Sequence, residues 1–296
     1  MTTVRVGTRS IRLVQELSGK VAVVTGGASG IGLGLARRFV AEDMPVVIGD
    51  VEADALTAAV EKLQAEGGTV EGVVTDVTKP EQMQALADAA VARFGGVHVF
   101  CNNAGVGGGG LSWEMPLSTW EWVLGVDLWG VIHGVRAFVP LLMQQPEAHI
   151  VNTASIAGLV AAPFMGPYNA SKHAVVAISE TLFHELAMSA PHVHVSVLCP
   201  GWVNTNIADS ARNRPAHLAG DEQDAAMASL ATSALRQVLA DGMPPDVVAG
   251  KVVDAIRSER FWVFTHDDEA DFWVDAVNRR LRSVEARVNP QLGPVM

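Results

Sequence analysis

The chain has 296 residues, of which 49% are hydrophobic, so it can bury a large core. Its formal net charge of -11 argues against a nucleic-acid partner, because such a partner is bound by a surface rich in basic residues. No apolar run reaches ~18 residues without a charge or a glycine, so we expect no membrane-spanning segment.

Residues 1–17 contain no apolar signal-peptide core. Their arginines and threonines loosely resemble a transit peptide, but we interpret them as a short N-terminal extension. Cys101 and Cys199 each end a strand-like apolar run, and two buried thiols suit a reducing compartment, so the cytoplasm is the expected location. A disulfide between them is the alternative. No metal site is predicted, since no second pair of soft ligands lies at zinc spacing.

Short runs rich in Val and Ile alternate with segments of helical periodicity. Such runs are typical of strands buried on both faces, and the alternation implies parallel strands joined by right-handed crossovers. The sequence therefore predicts an α/β fold, a doubly wound parallel sheet of about seven strands with helices on both faces. The predicted strands are 20–26, 44–50, 69–76, 97–105 with its loop, 148–155, 193–201 and 260–265, and the predicted helices are 31–43, 53–68, 79–96, 117–145, 166–190 and 245–259.

This single catalytic domain is expected to cover residues 18–265. Within it, residues 206–240 are predicted to form a lid over the substrate pocket, and residues 266–296 follow as an amphipathic helical tail. The segment 117–145 is predicted to be one long helix with a serine cap.

Ligands of such sheets bind beyond the carboxyl ends of the strands. After the first strand, TGGASGIG places Gly26, Gly30 and Gly32 where a tight turn leads into a helix. Without side chains there, backbone amides can approach a pyrophosphate at the positive end of the helix. The alternative is steric, since a helix start also needs glycine for close packing.

Asp50 ends the second strand, at the distance from the glycines where a carboxylate accepts hydrogen bonds from the adenosine ribose. The same charge would repel a 2'-phosphate, so NAD is favoured over NADP. The alternative role for Asp50 is a helix N-cap, which Asp54 could fill equally well.

Two further strand ends are polar. Asp76 follows the third strand and is interpreted either as a partner of the adenine amino group or as a helix cap. Residues 102–105, with the sequence NNAG, follow the fourth strand and either hold the loop beside a cofactor or form an ordinary turn.

Tyr168 is the only tyrosine in the chain and precedes Lys172 by four residues in a predicted helix. Residues at this spacing share one helical face, so the phenol and the ammonium are expected side by side. Ser155 lies at the end of the preceding strand. Alone, the pair would be interpreted as a surface contact; with the glycine turn and Asp50 at the same edge of the sheet, it indicates a catalytic site.

Together these features strongly resemble the short-chain dehydrogenase/reductase family, in its branch with a TGxxxGxG turn and a YxxxK motif. The resemblance covers roughly residues 18–265. It implies a Rossmann-like fold, binding of NAD(H) or NADP(H), interconversion of small-molecule alcohols and carbonyls, and a homodimer or homotetramer. It rests on TGGASGIG, Asp50, Asp76, NNAG, Ser155, YNASK and PGWVNT.

The chemistry needs a base near neutral pH, whereas a free phenol titrates near ~10. We expect Lys172 and a positive nicotinamide ring to lower the pKa of Tyr168, which then acts as general base or acid. Ser155 is expected to hold the substrate oxygen. The cofactor-binding residues implied by the resemblance are Gly26, Ser29, Gly30, Ile31, Gly32, Asp50, Asp76, Val77, Asn103, Ala104, Gly105, Tyr168, Lys172, Pro200, Gly201, Val203 and Thr205.

One position departs from the family pattern. The family usually has asparagine where this chain has Asp127, in the text GVDLWG, and that residue kinks the helix and helps to hold a water on the lysine. Asp127 is therefore included among the catalytic residues, but an aspartate cannot donate a hydrogen bond to that water. Its charge is expected to raise the pKa of Lys172 and to alter the pH dependence of the reaction.

Four residues in loops beside these positions are candidates for the substrate pocket, and they favour an apolar or aromatic substrate. Packing of loops or subunits is an equal alternative for them. The alternative function is a catalytically weak or non-catalytic protein that senses NAD(P), although such a protein would be expected to lose the tyrosine or the lysine. The candidate substrate residues are Trp113, Phe164, Met165 and Trp202.

Overall fold

The computed structural model describes residues 16–219, 233 and 235–282 of the protein. Within these residues, the chain alternates between strands and helices. The strands are β1 (Ala22–Thr25), β2 (Val46–Asp50), β3 (Val70–Val74), β4 (Val99–Asn102), β5 (Ala148–Thr153), β6 (Val193–Cys199) and β7 (Trp262–Phe264). The helices are α1 (Gly30–Ala41), α2 (Ala53–Ala65), α3 (Pro80–Phe94), α4 (Leu117–Leu124), α5 (Gly130–Leu142), α6 (Gly166–Ser189), α7 (Pro245–Arg257) and α8 (Asp267–Arg282).

The strands form one parallel sheet in the order β3-β2-β1-β4-β5-β6-β7. The chain therefore builds outward from β1 to β3 and then returns to the other side of β1 to place β4. This reversal opens a crevice at the carboxyl ends of β1 and β4, which is where ligands of doubly wound sheets bind. The predicted Rossmann-like fold is confirmed.

Successive residues of each central strand face opposite sides of the sheet, and both sides are covered. In β1, Val24 belongs to the core layer that includes residues of α1, α2 and α7, whereas its neighbour Val23 belongs to the layer that includes residues of α3, α5 and α6. Near the middle of the second layer, the rings of Phe100 and Phe138 stack with centroids 3.8 Å apart. Burial on both faces explains why these strands are apolar throughout.

The segment predicted as one helix over 117–145 departs from regular α-helix. A π-helical turn, Gly125–Trp129, separates α4 from α5, and α5 ends at Leu142. The predicted serine cap is also wrong, because Pro116 is the N-cap and Ser118 lies inside the first turn. By length and composition Leu117–Leu142 could span a membrane, but its α5 portion packs on the sheet through core residues such as Phe138.

Three other expectations concern the chain ends and the cysteines. The N-terminal extension was placed at 1–17, but Leu17 is buried in the core, and residues 1–15 lie outside the described part. The described portion of the predicted lid contains short 3-10 turns, while 220–232 and 234 lie outside the described residues, as do residues 283–296 of the predicted tail.

Both cysteines are free and buried, so the alternative of a disulfide is wrong.

Candidate active site

The glycine-rich turn packs directly against the loop after β4. Gly26 and Gly30 have φ angles of 64° and 51°, a region that favours glycine. A Cβ on Gly32 would lie 2.0 Å from the carbonyl oxygen of Gly26 and 2.7 Å from Nδ2 of Asn103. The turn is thus closed against Asn103, with the start of α1 facing the crevice between β1 and β4.

Asn103 and Thr25 hold the two sides of this crevice together. The hydroxyl of Thr25 accepts hydrogen bonds from the backbone N–H groups of Asn103 and Ala104 at 2.9 and 3.1 Å. The side chain of Asn103 donates back to the carbonyl oxygen of Thr25 at 3.0 Å. Hydrogen bonds therefore join the NNAG segment to the glycine turn, so the NNAG segment is more than an ordinary turn.

Asp50 is buried, and its carboxylate bonds two backbone groups. One oxygen accepts from the N–H of Ala28 at 3.0 Å, and the other accepts from the N–H of Glu52 at 3.1 Å. Burial raises the pKa of Asp50 despite these hydrogen bonds. The N-cap of α2 is Glu52, so neither Asp50 nor Asp54 occupies that position, and Asp50 instead joins β2 to the glycine turn.

Asp76 makes local contacts at the end of β3. One of its carboxylate oxygens accepts hydrogen bonds from the backbone N–H and the hydroxyl of Thr78, at 2.9 and 2.7 Å. This is an aspartate turn, and the alternative of a helix cap is wrong, because the N-cap of α3 is Lys79. Asp76 also lies on the wall of the crevice, so the predicted contact with adenine remains a prediction.

Tyr168, Lys172 and Ser155 meet at the carboxyl end of β5. The ammonium of Lys172 is 5.4 Å from the centre of the Tyr168 ring and donates to the carbonyl oxygen of Thr153 at 3.1 Å. Ser155 starts a short turn in which its hydroxyl accepts from the N–H of Ala157. The helical spacing of the tyrosine and the lysine therefore directs both side chains toward the same edge of the sheet.

The electrostatics of Tyr168 differ from the expectation. Burial raises the pKa of its phenol, the ammonium of Lys172 lowers it, the carboxylate of Asp127 raises it, and a hydrogen bond with Ser155 lowers it. The net direction is upward, so Lys172 by itself does not produce the expected lowering, which also included the charge of the nicotinamide ring and stays a prediction. Desolvation of the phenolate outweighs the attraction of the Lys172 ammonium.

Asp127 is buried in the π-helical turn, behind Lys172. One carboxylate oxygen accepts from the N–H of Val106 at 2.8 Å, and the other lies 3.5 Å from the ammonium of Lys172. Burial lowers the pKa of Lys172, but Asp127 and Tyr168 more than compensate, so the net direction is upward as predicted. Burial likewise raises the pKa of Asp127, against the effect of Lys172.

A cavity of about 720 Å³ runs along the crevice, and most of the predicted site residues line it. Three do not. Gly32 is packed inside the turn, and Asp127 is covered by Lys172. The prediction that Trp113 lines the substrate pocket is wrong. This residue is 78% exposed, and its ring N–H donates a hydrogen bond to Glu114. The predicted residues on the wall are Gly26, Ser29, Gly30, Ile31, Asp50, Asp76, Val77, Asn103, Ala104, Gly105, Ser155, Phe164, Met165, Tyr168, Lys172, Pro200, Gly201, Trp202, Val203 and Thr205.

Several wall residues were not predicted from the sequence. Trp122 of α4 and Trp273 of α8 contribute aromatic surface, and Glu52, Arg212 and Asn213 contribute polar groups beside Asp50. Trp273 lies in the predicted amphipathic tail, a segment suited to cover either the site or a neighbouring subunit, and Arg212 and Asn213 lie in the segment predicted as a lid. Trp122 and Glu52 belong to no motif.

The dimensions and groups of this crevice fit a nicotinamide dinucleotide. A turn too tight for any Cβ at Gly32 faces the expected pyrophosphate, and a carboxylate stands at the end of β2 where a ribose would lie. The Tyr168, Lys172 and Ser155 group stands further along the same cavity. One elongated ligand can therefore contact both ends.

Known proteins resemble this chain closely. A family model described as short chain dehydrogenase matches residues 20–216. A short chain dehydrogenase/reductase from Burkholderia phymatum, solved in complex with NAD, is 44% identical with a TM-score of 0.87, over 90% of this chain and 95% of that chain.

Two curated relatives are named as enzymes. The 1-deoxy-11-beta-hydroxypentalenate dehydrogenase of Streptomyces exfoliatus is 38% identical over 86% of this chain and 85% of its own. The CLA biosynthesis dehydrogenase/reductase of Lactiplantibacillus plantarum is 32% identical over 90% of this chain and 94% of its own.

Proposed function

Because the chain belongs to the short-chain dehydrogenase/reductase family, whose members are oxidoreductases that bind NAD(P), we propose that it interconverts a secondary alcohol and a ketone. One observation carries the proposal. Tyr168, Ser155 and Lys172 line the same cavity as the glycine turn and Asp50. A proton-transfer group and a dinucleotide cradle therefore open onto one space.

The nicotinamide dinucleotide, when bound, supplies or accepts the hydride. Tyr168 holds the proton that leaves the hydroxyl in oxidation and returns to the carbonyl oxygen in reduction. Ser155 donates a hydrogen bond to the substrate oxygen and keeps it near the phenol. Lys172 places its positive charge beside the Tyr168 ring. This charge stabilises the phenolate and holds the pKa of Tyr168 below the value that burial alone would produce.

NAD(H) is the proposed cofactor in preference to NADP(H). The support is Asp50, whose buried carboxylate stands at the end of β2 beside the glycine turn. A 2'-phosphate would bring negative charge toward this carboxylate.

A neutral, apolar substrate is the proposed class. Among the described residues, the charged side chains on the wall besides Lys172 are Asp50, Glu52, Asp76 and Arg212, which belong to the side of β2 and β3 or contact it. The other side is walled by apolar and aromatic groups, which offer no partner for a carboxylate or a phosphate. These residues are Val106, Trp122, Val160, Phe164, Met165, Trp202, Leu235, Leu239 and Trp273.

A homodimer or homotetramer in the cytoplasm is the proposed state. The support for assembly is apolar surface on the α5 and α6 side, where Trp129, Phe183 and Met188 are exposed. Free, buried Cys101 and Cys199 suit a reducing compartment. Light scattering of the purified protein tests the assembly, and fractionation of the source cells tests the location.

The proposed reaction is tested by following NADH absorbance with a panel of apolar secondary alcohols and ketones. Tyr168→Phe keeps the aromatic ring and removes the phenol, so we expect turnover to fall about 10²–10⁴-fold while NADH still binds. Undiminished turnover in this variant would refute the acid–base role. NADH binding without turnover of any panel member by the native chain would favour the cofactor-sensing alternative.

A further inference from the structure

A short segment, residues 207–214, crosses the carboxyl edge of the sheet above the cavity. We call it the bridging segment; it consists of the 3-10 turn Ile207–Asn213 and Arg214. Just before it, Thr205 lies against the glycine turn, since a Cβ on Gly30 would meet the Thr205 methyl at 3.1 Å. The segment is therefore positioned over the place where a dinucleotide would lie.

Glu52 anchors the bridging segment on the β2 side. Its carboxylate accepts from Nε of Arg212 at 3.1 Å to each oxygen and from Nη2 at 2.6 Å, and it also accepts from Nδ2 of Asn213 at 2.8 Å. The hydrogen bond from Arg212 is the main cause that lowers the pKa of Glu52, so the glutamate is held in its charged form. All three residues line the cavity.

Other contacts anchor the segment on the β4 side. The buried Ser210 hydroxyl accepts from the N–H of Gly107 at 2.8 Å. Arg214 donates to the hydroxyls of Ser118 and Thr119 in α4 at 2.9 and 3.0 Å. The bridging segment is therefore fastened on both sides of β1, directly across the crevice.

We propose that Arg212 and Glu52 form a latch that opens before a dinucleotide leaves the crevice, so that this pair sets the rate of cofactor release. The inference rests on the proposed function, because it takes the crevice to hold NAD(H). The β4 anchors hold the other end of the bridge, whereas the latch joins it to the side where the adenosine would lie. Arg212 and Glu52 are thus positioning residues outside the chemical step.

The strength of the latch is moderate. The side chains of Arg212 and Glu52 are 38% and 28% exposed, so water and salt screen their attraction. The two-pronged contact of a guanidinium with a carboxylate adds directional hydrogen bonds to the charge. Such a contact is strong enough to slow release and weak enough to open during turnover.

The experiment measures NADH release from the full-length protein by stopped-flow fluorescence. Glu52→Gln, Arg212→Gln and the double variant are compared with Arg236→Gln. Arg236 pairs with Asp209 of the same segment at 2.5 Å, but neither residue lines the cavity. This control removes an equal charge and an ion pair of the same segment, while the contact between Arg212 and Glu52 stays in place.

We expect each latch variant to release NADH about three- to tenfold faster, and the double variant to release it no faster than the singles, since both remove the same contact. Arg236→Gln should leave release unchanged. Single-turnover hydride transfer should remain as in the native protein, which a general structural defect would not allow.

Unchanged release in both single variants, or additive effects in the double variant, would overturn the latch while leaving the proposed function intact. A native protein that binds neither NADH nor NADPH would refute the proposed function and the latch with it. A loss of single-turnover rate equal to the gain in release would also refute the latch, because the pair would then act on the chemistry.

Discussion

The carboxylate of Asp127 lies 3.5 Å from the ammonium of Lys172, and the two side chains are 0% and 3% exposed. The carboxylate oxygen nearer the lysine has no hydrogen-bond partner among the described residues, so charge attraction is its compensation for burial. This pair acts on Tyr168 in opposing directions, since Lys172 lowers the phenol pKa and Asp127 raises it.

Asp127→Asn should shift the pH profile of alcohol oxidation to lower pH. The substitution removes a charge that raises the Tyr168 pKa, and oxidation needs the deprotonated phenol. A lower pKa places more phenolate at any pH on the rising limb, so kcat/KM for oxidation near pH 7 should increase several-fold. The measurement is kcat/KM against pH for the native chain and the variant.

The reverse reaction supplies the internal control for this variant. Ketone reduction uses the protonated phenol, so its alkaline limb should move to lower pH by the same amount. A shift of both profiles to higher pH would mean that Asp127 acts mainly by keeping Lys172 charged, because its loss lowers the lysine pKa. Unmoved profiles would mean that Asp127 has no electrostatic part in the reaction.

Asp50→Asn should weaken the preference for NAD over NADP about tenfold or more. The variant keeps the size of the side chain and removes the charge that opposes a 2'-phosphate. Absolute affinity for NAD should also fall, because the carboxylate holds the N–H of Ala28 in the glycine turn. Asp76→Asn is the matched control, and it should change kcat/KM for both cofactors in the same proportion.

Gly32→Ala should abolish measurable NADH binding and lower the melting temperature. A Cβ there would lie 2.0 Å from the Gly26 carbonyl oxygen, so the glycine turn must open. Gly250→Ala provides the control. It lies in α7, where an added Cβ would meet no described atom within 4 Å, and alanine there should stabilise the protein by about 0.5–1 kcal/mol. Calorimetry and NADH titration of both variants separate the two effects.

The sheet could be predicted because its pattern is local. Val23 and Val24 alternate between two buried layers, so the strand is apolar throughout and visible in a short window. The strand-end residues could be placed on one edge for a topological reason, since parallel strands present their carboxyl ends together. Asp50 and Tyr168, 118 positions apart in the chain, line one cavity as a result.

Other features depend on contacts that a sequence window does not contain. The latch joins residues 160 positions apart, and Arg212 belongs to no motif. Trp113 was placed in the pocket from its position in a loop, yet a loop does not fix the direction of a side chain. The direction of the Tyr168 pKa shift depended on desolvation, a property of the folded environment that charge spacing alone does not reveal.

His149 should make the protein less stable in mild acid. It is buried between β5 and β6, and its Nε2 lies 2.8 Å from the Ser196 hydroxyl, which itself donates to the carbonyl oxygen of Arg260. Burial lowers the pKa of His149 to about 3, against an ordinary value of 6.5. Below pH 6.5 the unfolded chain therefore binds a proton that the folded chain does not, and the free energy of unfolding falls by about 1.4 kcal/mol per pH unit.

His149→Gln tests this by removing the ionisable ring while keeping an amide donor for Ser196. Urea unfolding is measured at pH 7.5 and pH 5.0. Between these values, His149 should lower the free energy of unfolding of the native chain by about 2 kcal/mol, and this contribution should be missing in the variant. The exposed His184→Gln is the control and should keep the native pH dependence. If the free energy of unfolding fell equally in His149→Gln and in the native chain, His149 would be protonated in the folded protein. Its positive charge would then be tolerated between β5 and β6.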